Sequence, residues 1–253
     1  PFAGDGLVVV YRLGLVDGPP RDWTTTLKLS SPLLFAAGSR QGLFTLGLYE
    51  GAGGLVEDEQ GRAMLNAVTL TAVLRFYRDA QKVGVMPPWL TQYQTEQDVW
   101  NAFEKGNVGA AVVWVSAFLG EPQPDVAVTL IPTPGEVPLT PMTGWMWALT
   151  NPDSNRQALS AALAQFLTAP DFLAAWTELA GYLPPRPSAL ASWADTPARA
   201  LASRLTLSAR MIPSIDVFNT VGPALQQAVH AVLNQQIDPA IAAETAAQRL
   251  NGP

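Results

Sequence analysis

Three short apolar runs rich in β-branched residues, separated by segments with helical periodicity, constrain this chain most. Residues 7–11 (LVVVY), 108–115 (VGAAVVWV) and 126–131 (VAVTLI) have the length and composition of strands buried on both faces. A run buried on both faces needs layers on either side of it, and the intervening sequence supplies helices. In residues 63–83, Leu65, Val68, Ala72 and Phe76 recur at helical spacing, widened by Leu70, Val73, Leu74 and Tyr77. Gly84 and the Pro87-Pro88 pair stop this helix. A short helix over 96–105 carries Val99, Trp100 and Phe103 on one side. A third strand is expected over 143–149. Helices follow over about 154–168, 170–180, 195–209, 217–234 and 238–250, the last with Asp238 as N-cap and Pro239 in its first turn. Strands first and helices later make an α/β fold with helices packed over sheets.

Composition narrows function by exclusion. Hydrophobic residues make up 48% and charged residues 14%, the opposite of the balance that keeps a chain disordered. The net charge of −6, with no basic run, gives no means of gripping phosphates, so no nucleic-acid partner is expected. Cysteine is absent and His230 is the one histidine. Thiolate chemistry and zinc-thiolate sites are therefore impossible, and no metal or cofactor is expected. His230 sits between apolar positions of a helix without a Gly-x-Ser-x-Gly elbow, so it reads as structural. Residues 51–54 (GAGG) lack the Lys and Ser/Thr of a phosphate loop, and 57–61 (EDEQG) read as a solvated acidic turn. No catalytic residue is assigned. No apolar run reaches the roughly 18–20 residues of a membrane span. No signal peptide is seen, and a chain starting at Pro1 reads as processed or trimmed.

The remaining signal is aromatic. Trp114 closes the 108–115 run, Trp145 and Trp147 lie in the 143–149 run, and Tyr49, Tyr93 and Tyr182 stand beside glycine or polar turns. Flat rings take the C–H face of a sugar while neighbouring polar groups take its hydroxyls. The expected ligand contacts are Trp145 and Trp114 first, then Tyr182, Glu50 and Tyr49. Trp145 is preferred because Gly144 before it leaves room for a ligand to approach the backbone. Trp100 and Trp176, on apolar helix stripes, are expected in the core.

Five segments in order resemble the bacterial extracellular solute-binding proteins of the maltose-binding-protein-like group. NAFEKGNVGAA at 101–111 is similar to the family's helix-to-strand junction, and TGWMWAL at 143–149 to its Gly-Gly-Trp strand. GYLPPR at 181–186 resembles its Gly-Tyr-Leu-Pro-x-Arg loop, GGLVEDEQGR at 53–62 its acidic turn, and PPRDW at 19–23 its Pro-Pro-Lys-Thr-Trp. The chain departs from the pattern at Arg12, where the family has Asn, and at Asp22, where it has Thr. The resemblance implies a periplasmic-binding-protein-like, type II, two-lobe architecture whose first lobe is incomplete, lacking its amino-terminal part. It divides the chain into 1–145 (second-lobe α/β domain with crossing strands), 146–205 (helices returning to the first lobe) and 206–253 (C-terminal helices on the second lobe). It also implies a monomeric extracytoplasmic protein, periplasmic or anchored as a lipoprotein. Such a protein binds a small solute, expected to be a sugar, between its lobes and delivers it to the membrane permease of an ABC importer. The alternatives are a carbohydrate-active hydrolase using acidic residues, and a non-transporting interaction or sensor relative.

Overall fold

The computed structural model describes residues 1–135 and 137–251. Its axis is β1 (Ala3–Arg12), in which Leu7, Val8, Val9 and Val10 are completely buried. Both edges of this strand are paired. Around β1 lie β2 (Leu33–Leu34), β3 (Ala110–Trp114), β4 (Val126–Thr129), β5 (Thr140–Trp145) and β6 (Ala209–Met211), in a sheet of order β2-β3-β1-β5-β6. β4 also pairs with β1, antiparallel, with Val9 opposite Thr129 and Arg12 opposite Val126. The first residues of β1 pair antiparallel with β5, with Ala3 opposite Trp145 and Asp5 opposite Thr143. The runs at 108–115 and 126–131 thus lie in one sheet. The strand expected over 143–149 is shifted: it begins at Thr140 and ends at Trp145, where its pairing with Ala3 of β1 ends.

The chain divides into two compact units. Unit 1 comprises Pro1–Gly6, Trp114–Gln123 and Met142–Ala209, and unit 2 comprises Leu7–Val113, Pro124–Pro141 and Arg210–Pro253. β1, β3 and β5 each continue from one unit into the other, at Gly6, Trp114 and Met142.

Unit 2 holds α1 (Trp23–Thr26), α2 (Leu43–Gly51), α3 (Ala67–Lys82), α4 (Glu96–Glu104), α10 (Ile215–Leu233) and α11 (Pro239–Asn251). Asn66 caps α3 by accepting from Thr69 N. The buried face of α3 is Leu70, Val73, Leu74, Phe76, Tyr77 and Ala80, packed on α2, α10 and α11. Val68, expected on that face, is 81% exposed. In α4, Thr95 and Asp98 form a capping box and Val99, Trp100 and Phe103 are buried as expected. α10 carries Pro223 in its interior. Its Gly222 lies so close to the Arg40 and Gln41 carbonyls that a Cβ would stand 2.7 Å from each. At Arg12 the family departure is accommodated internally. Its Nη1 donates to Asp125 Oδ2 at 2.6 Å, Nη2 to the Phe103 carbonyl at 3.1 Å, and the guanidinium lies 4.7 Å from the Phe103 ring centre.

Unit 1 holds α5 (Val115–Gly120), α6 (Ser154–Leu167), α7 (Pro170–Ala180), α8 (Pro187–Ala191) and α9 (Pro197–Leu207). Leu173, Leu190, Trp193, Leu201 and Leu205 form its core, with Trp193 Nε1 donating to Thr177 Oγ1. Leu159, Leu163 and Phe166 do lie on α6, as their spacing predicts, but each is more than half exposed. Among the described residues no single helix is long and apolar enough to cross a membrane. α6 and α7 pass that test only as a pair, bent by 63°.

Candidate functional site

Five aromatic rings of unit 1 form a continuous chain of contacts. The Trp145 ring centre is 5.0 Å from that of Tyr182, edge-on. Tyr182 stacks on Trp176 at 5.8 Å with the rings 3° from parallel. Trp176 lies 4.4 Å from Phe2, and Phe2 5.0 Å from Trp147. Trp145 and Trp147 are 47% and 51% exposed, and Phe2, Trp176 and Tyr182 are half-buried. The two ends of the chain, Trp145 and Trp147, are its most open rings, and the three between them are more covered.

Local structure holds this face in place. α7 ends at Gly181, which is left-handed (φ 75°), and the Gly181 and Tyr182 amides both donate to the Thr177 carbonyl. A Cβ at Gly181 would stand 2.7 Å from Gly120 N and 3.0 Å from the Ser116 carbonyl, so the loop lies directly on α5. One residue on, Leu183 exchanges both backbone hydrogen bonds with Gly4, at 2.8 Å each. Tyr182 is thus fixed between a helix cap and a strand bridge. Trp145 is the last residue of β5, and its carbonyl accepts from Phe2 N at 2.7 Å. Gly144 has a different purpose from the one expected: a Cβ there would stand 2.9 Å from the Ala3 carbonyl, so its side-chain space is taken by β1 and not left for a ligand. Trp147 lies beyond the strand and is set by Phe2, so the alternation of a regular strand does not apply to it.

The expected contacts divide between the units. Trp145, Trp114 and Tyr182 belong to unit 1, Tyr49 and Glu50 to unit 2. Trp114 is half-buried and directly precedes α5, the helix that Gly181 abuts. Tyr49 is corrected by its burial: it is 0% exposed and has no surface to offer a ligand. Its hydroxyl donates to the Leu55 carbonyl at 3.0 Å and accepts from Asn66 N at 2.7 Å. Sequence reasoning missed Phe2 and placed Trp176 in the core. The helical stripe locates Trp176 on the inner side of α7 correctly, but only the tertiary pairing with Phe2 and Tyr182 shows that its ring joins an open face.

Among the described residues three carboxylates, Asp5, Glu50 and Glu96, have their pKa raised chiefly by burial. Asp5, 4% exposed, accepts from Ser116 Oγ at 2.5 Å, from Ser116 N at 3.1 Å and from Gly6 N at 2.9 Å. Burial nevertheless pushes its pKa up to about 6. Glu50, near the end of α2, is pushed up to about 7 by burial, partly opposed by the Arg210 guanidinium. When folded, Glu50 holds its proton more tightly than in the unfolded chain, where its pKa is ordinary. Its contribution to stability is therefore full below about pH 4.5 and is lost as the pH rises to about 7. Glu50→Gln removes this dependence. Relative to the parent protein, the variant should gain about 1–2 kcal/mol between pH 5 and pH 8, after allowance for solvent screening. Urea unfolding at the two pH values measures it, and parallel stabilities would show that Glu50 is not desolvated.

Among the described residues no group of three or more His, Asp or Glu side chains could hold a metal ion. His230 lies on α10, half-buried, with Nε2 3.1 Å from Asn234 Nδ2.

Solved structures share this fold over nearly the whole chain. Maltose-bound MalE3 of T. maritima is 23% identical with a TM-score of 0.77, covering 99% of this chain and 71% of that one. A solute-binding protein of an ABC transporter from Thermotoga lettingae, bound with α-D-tagatose, is 21% identical with a TM-score of 0.79 over the same shares. UgpB of Mycobacterium tuberculosis, in complex with glycerophosphocholine, is 20% identical with a TM-score of 0.74, covering 99% of this chain and 69% of that one. No curated protein matches. The sequence profile of the bacterial extracellular solute-binding proteins matches residues 1–201, most of the chain. With the two-lobe fold of these binding proteins and the family's sequence pattern in hand, the chain belongs to the bacterial extracellular solute-binding protein family.

Proposed function

We propose that the chain is the solute receptor of an ABC importer and that its solute is a neutral carbohydrate or polyol. The observation that carries this reading is the half-open aromatic face of unit 1, from Trp145 through Tyr182 and Trp176 to Phe2 and Trp147. Such a face takes the C–H side of a sugar ring, and uncharged hydroxyls suit its surroundings better than an anion does in a chain of net charge −6. Trp145 and Tyr182 are the principal contacts and Trp114 a third, all within unit 1. The solutes in the maltose-bound and tagatose-bound neighbours are of this class.

In this reading the protein performs no chemistry and hands its solute to a membrane permease. It works outside the cytoplasm, in the periplasm or anchored as a lipoprotein, as a monomer. The division into 1–145, 146–205 and 206–253 belongs to the same reading, and the continuous stretch Met142–Ala209 of unit 1 supports its middle piece. Calorimetric titration with a panel of neutral mono- and oligosaccharides and polyols tests the function, with amino acids as the control set. Saturable heat with at least one sugar or polyol is expected. Silence across that set, or binding confined to the amino acids, contradicts the reading.

A further inference from the structure

A concavity wholly within unit 2 carries a chemistry unrelated to the aromatic face. α10 and α11 pack through small side chains, Ala224 and Ala228 on one helix against Ala242 and Ala246 on the other, each buried. Alanines on facing helices leave a trough, here with a volume of about 540 Å³, within the range of small-molecule sites. Its floor is methyl groups, and Ile237 and Ile241 stand exposed at its rim.

The wall carries a cation and no carboxylate: Arg249 lines it together with His230, Gln226, Gln227, Gln235 and Thr245, side chains that can all donate hydrogen bonds. That bias is notable in a chain with 21 acidic residues against 15 basic ones. Nearby acidic groups are engaged or turned elsewhere: Asp238 pairs with Arg78 at 3.2 Å and caps the Ala240 amide, and Glu244 is exposed outside the lining. Arg249 Nη1 donates to Gln227 Oε1, which ties the guanidinium across to α10 and leaves its other N–H groups available. The amide nitrogen of Asn234 donates to His230 Nε2, so the ring proton of the neutral imidazole sits on Nδ1, again a donor.

We propose that the trough between α10 and α11 binds a small organic carboxylate, its charged end on Arg249 and its apolar body over the alanine floor. A guanidinium meets a carboxylate through two parallel hydrogen bonds, which a hydroxyl cannot reproduce. The site is independent of the sugar reading, because none of the five aromatic rings lines it.

The test is an NMR titration of the full 253-residue chain with benzoate, with benzyl alcohol as its neutral counterpart and inorganic phosphate as a compact anion. Benzoate should shift the backbone signals of Ala228, Ala242 and Thr245 and the Arg249 side-chain N–H saturably. Benzyl alcohol and phosphate should each bind at least tenfold more weakly. Arg249→Gln, an exposed position, should weaken benzoate at least tenfold with the melting temperature unchanged. Ala231→Leu, which fills the trough without touching Arg249, should do the same. Any one of four results overturns the proposal: no saturable shift; equal affinity for benzoate and benzyl alcohol, meaning an apolar crevice only; phosphate binding as tightly as benzoate; or unchanged affinity in either variant.

Discussion

Tyr49→Ala is expected to cost about 4–6 kcal/mol of folding stability. Truncating a fully buried aromatic ring costs about 3–5 kcal/mol through lost transfer free energy and the cavity left behind. Two orphaned groups add to that, the Leu55 carbonyl and the Asn66 amide, both served by the Tyr49 hydroxyl. Asn66 is the N-cap of α3, so the change also loosens the start of the longest buried helical stripe in residues 1–113. The surroundings cannot collapse easily onto the hole. Gly54 already lies against the ring so closely that a Cβ would stand 2.3 Å from it. Against a typical total stability of about 5–15 kcal/mol, such a loss leaves a marginal protein. Tyr49→Phe isolates the hydroxyl and should cost about 1–2 kcal/mol. Because Tyr49 exposes no surface, Tyr49→Phe should leave solute affinity unchanged. Intact stability with lost affinity in Tyr49→Phe would return Tyr49 to the binding site.

Why Tyr49 looked like a ligand contact in the sequence is itself physical. A tyrosine beside Gly51 and Gly53-Gly54 resembles a ring on an open turn, and nothing local reports that the turn folds back over it. The strands and most helices were legible because their causes are local: β-branched runs, apolar residues at helical spacing, and Gly84 as a helix stop, whereas the start of α3, expected at residue 63, is set by the Asn66 cap at Ala67. The stripe of α3 was legible only in part, since 3.6-residue periodicity gives the direction of a face but not its width, and Val68 fell outside it. The exposure of Leu159, Leu163 and Phe166 was not legible at all, because an apolar stripe says that a face seeks cover and not whether these residues supply it. Gly144 shows the same limit. A missing side chain marks a close approach, but the sequence does not say whether backbone or ligand approaches. Trp145 and Tyr182 were found from the aromatic content of strand ends and loops. The Phe2 ring, just before β1, and the Trp176 ring, on α7, join them, and only the fold assembles those with β5.

The second large effect belongs to that assembled face. Trp145→Ala should weaken sugar binding by about 2–3 kcal/mol, the loss typical of a central aromatic anchor and equal to about 30- to 150-fold in affinity. Its effect on folding should be small, about 1 kcal/mol, because the ring is 47% exposed and touches the fold mainly through Tyr182. Tyr182→Ala should act in the same direction, and the two losses should not add, since the rings are in contact. The most direct measurement is therefore paired: melting temperature and calorimetric affinity for the bound sugar, in the parent protein and in Trp145→Ala. The account predicts a nearly unchanged melting temperature with a fall in affinity of at least tenfold. A large fall in melting temperature with affinity retained in the folded protein would contradict it, making Trp145 a structural ring.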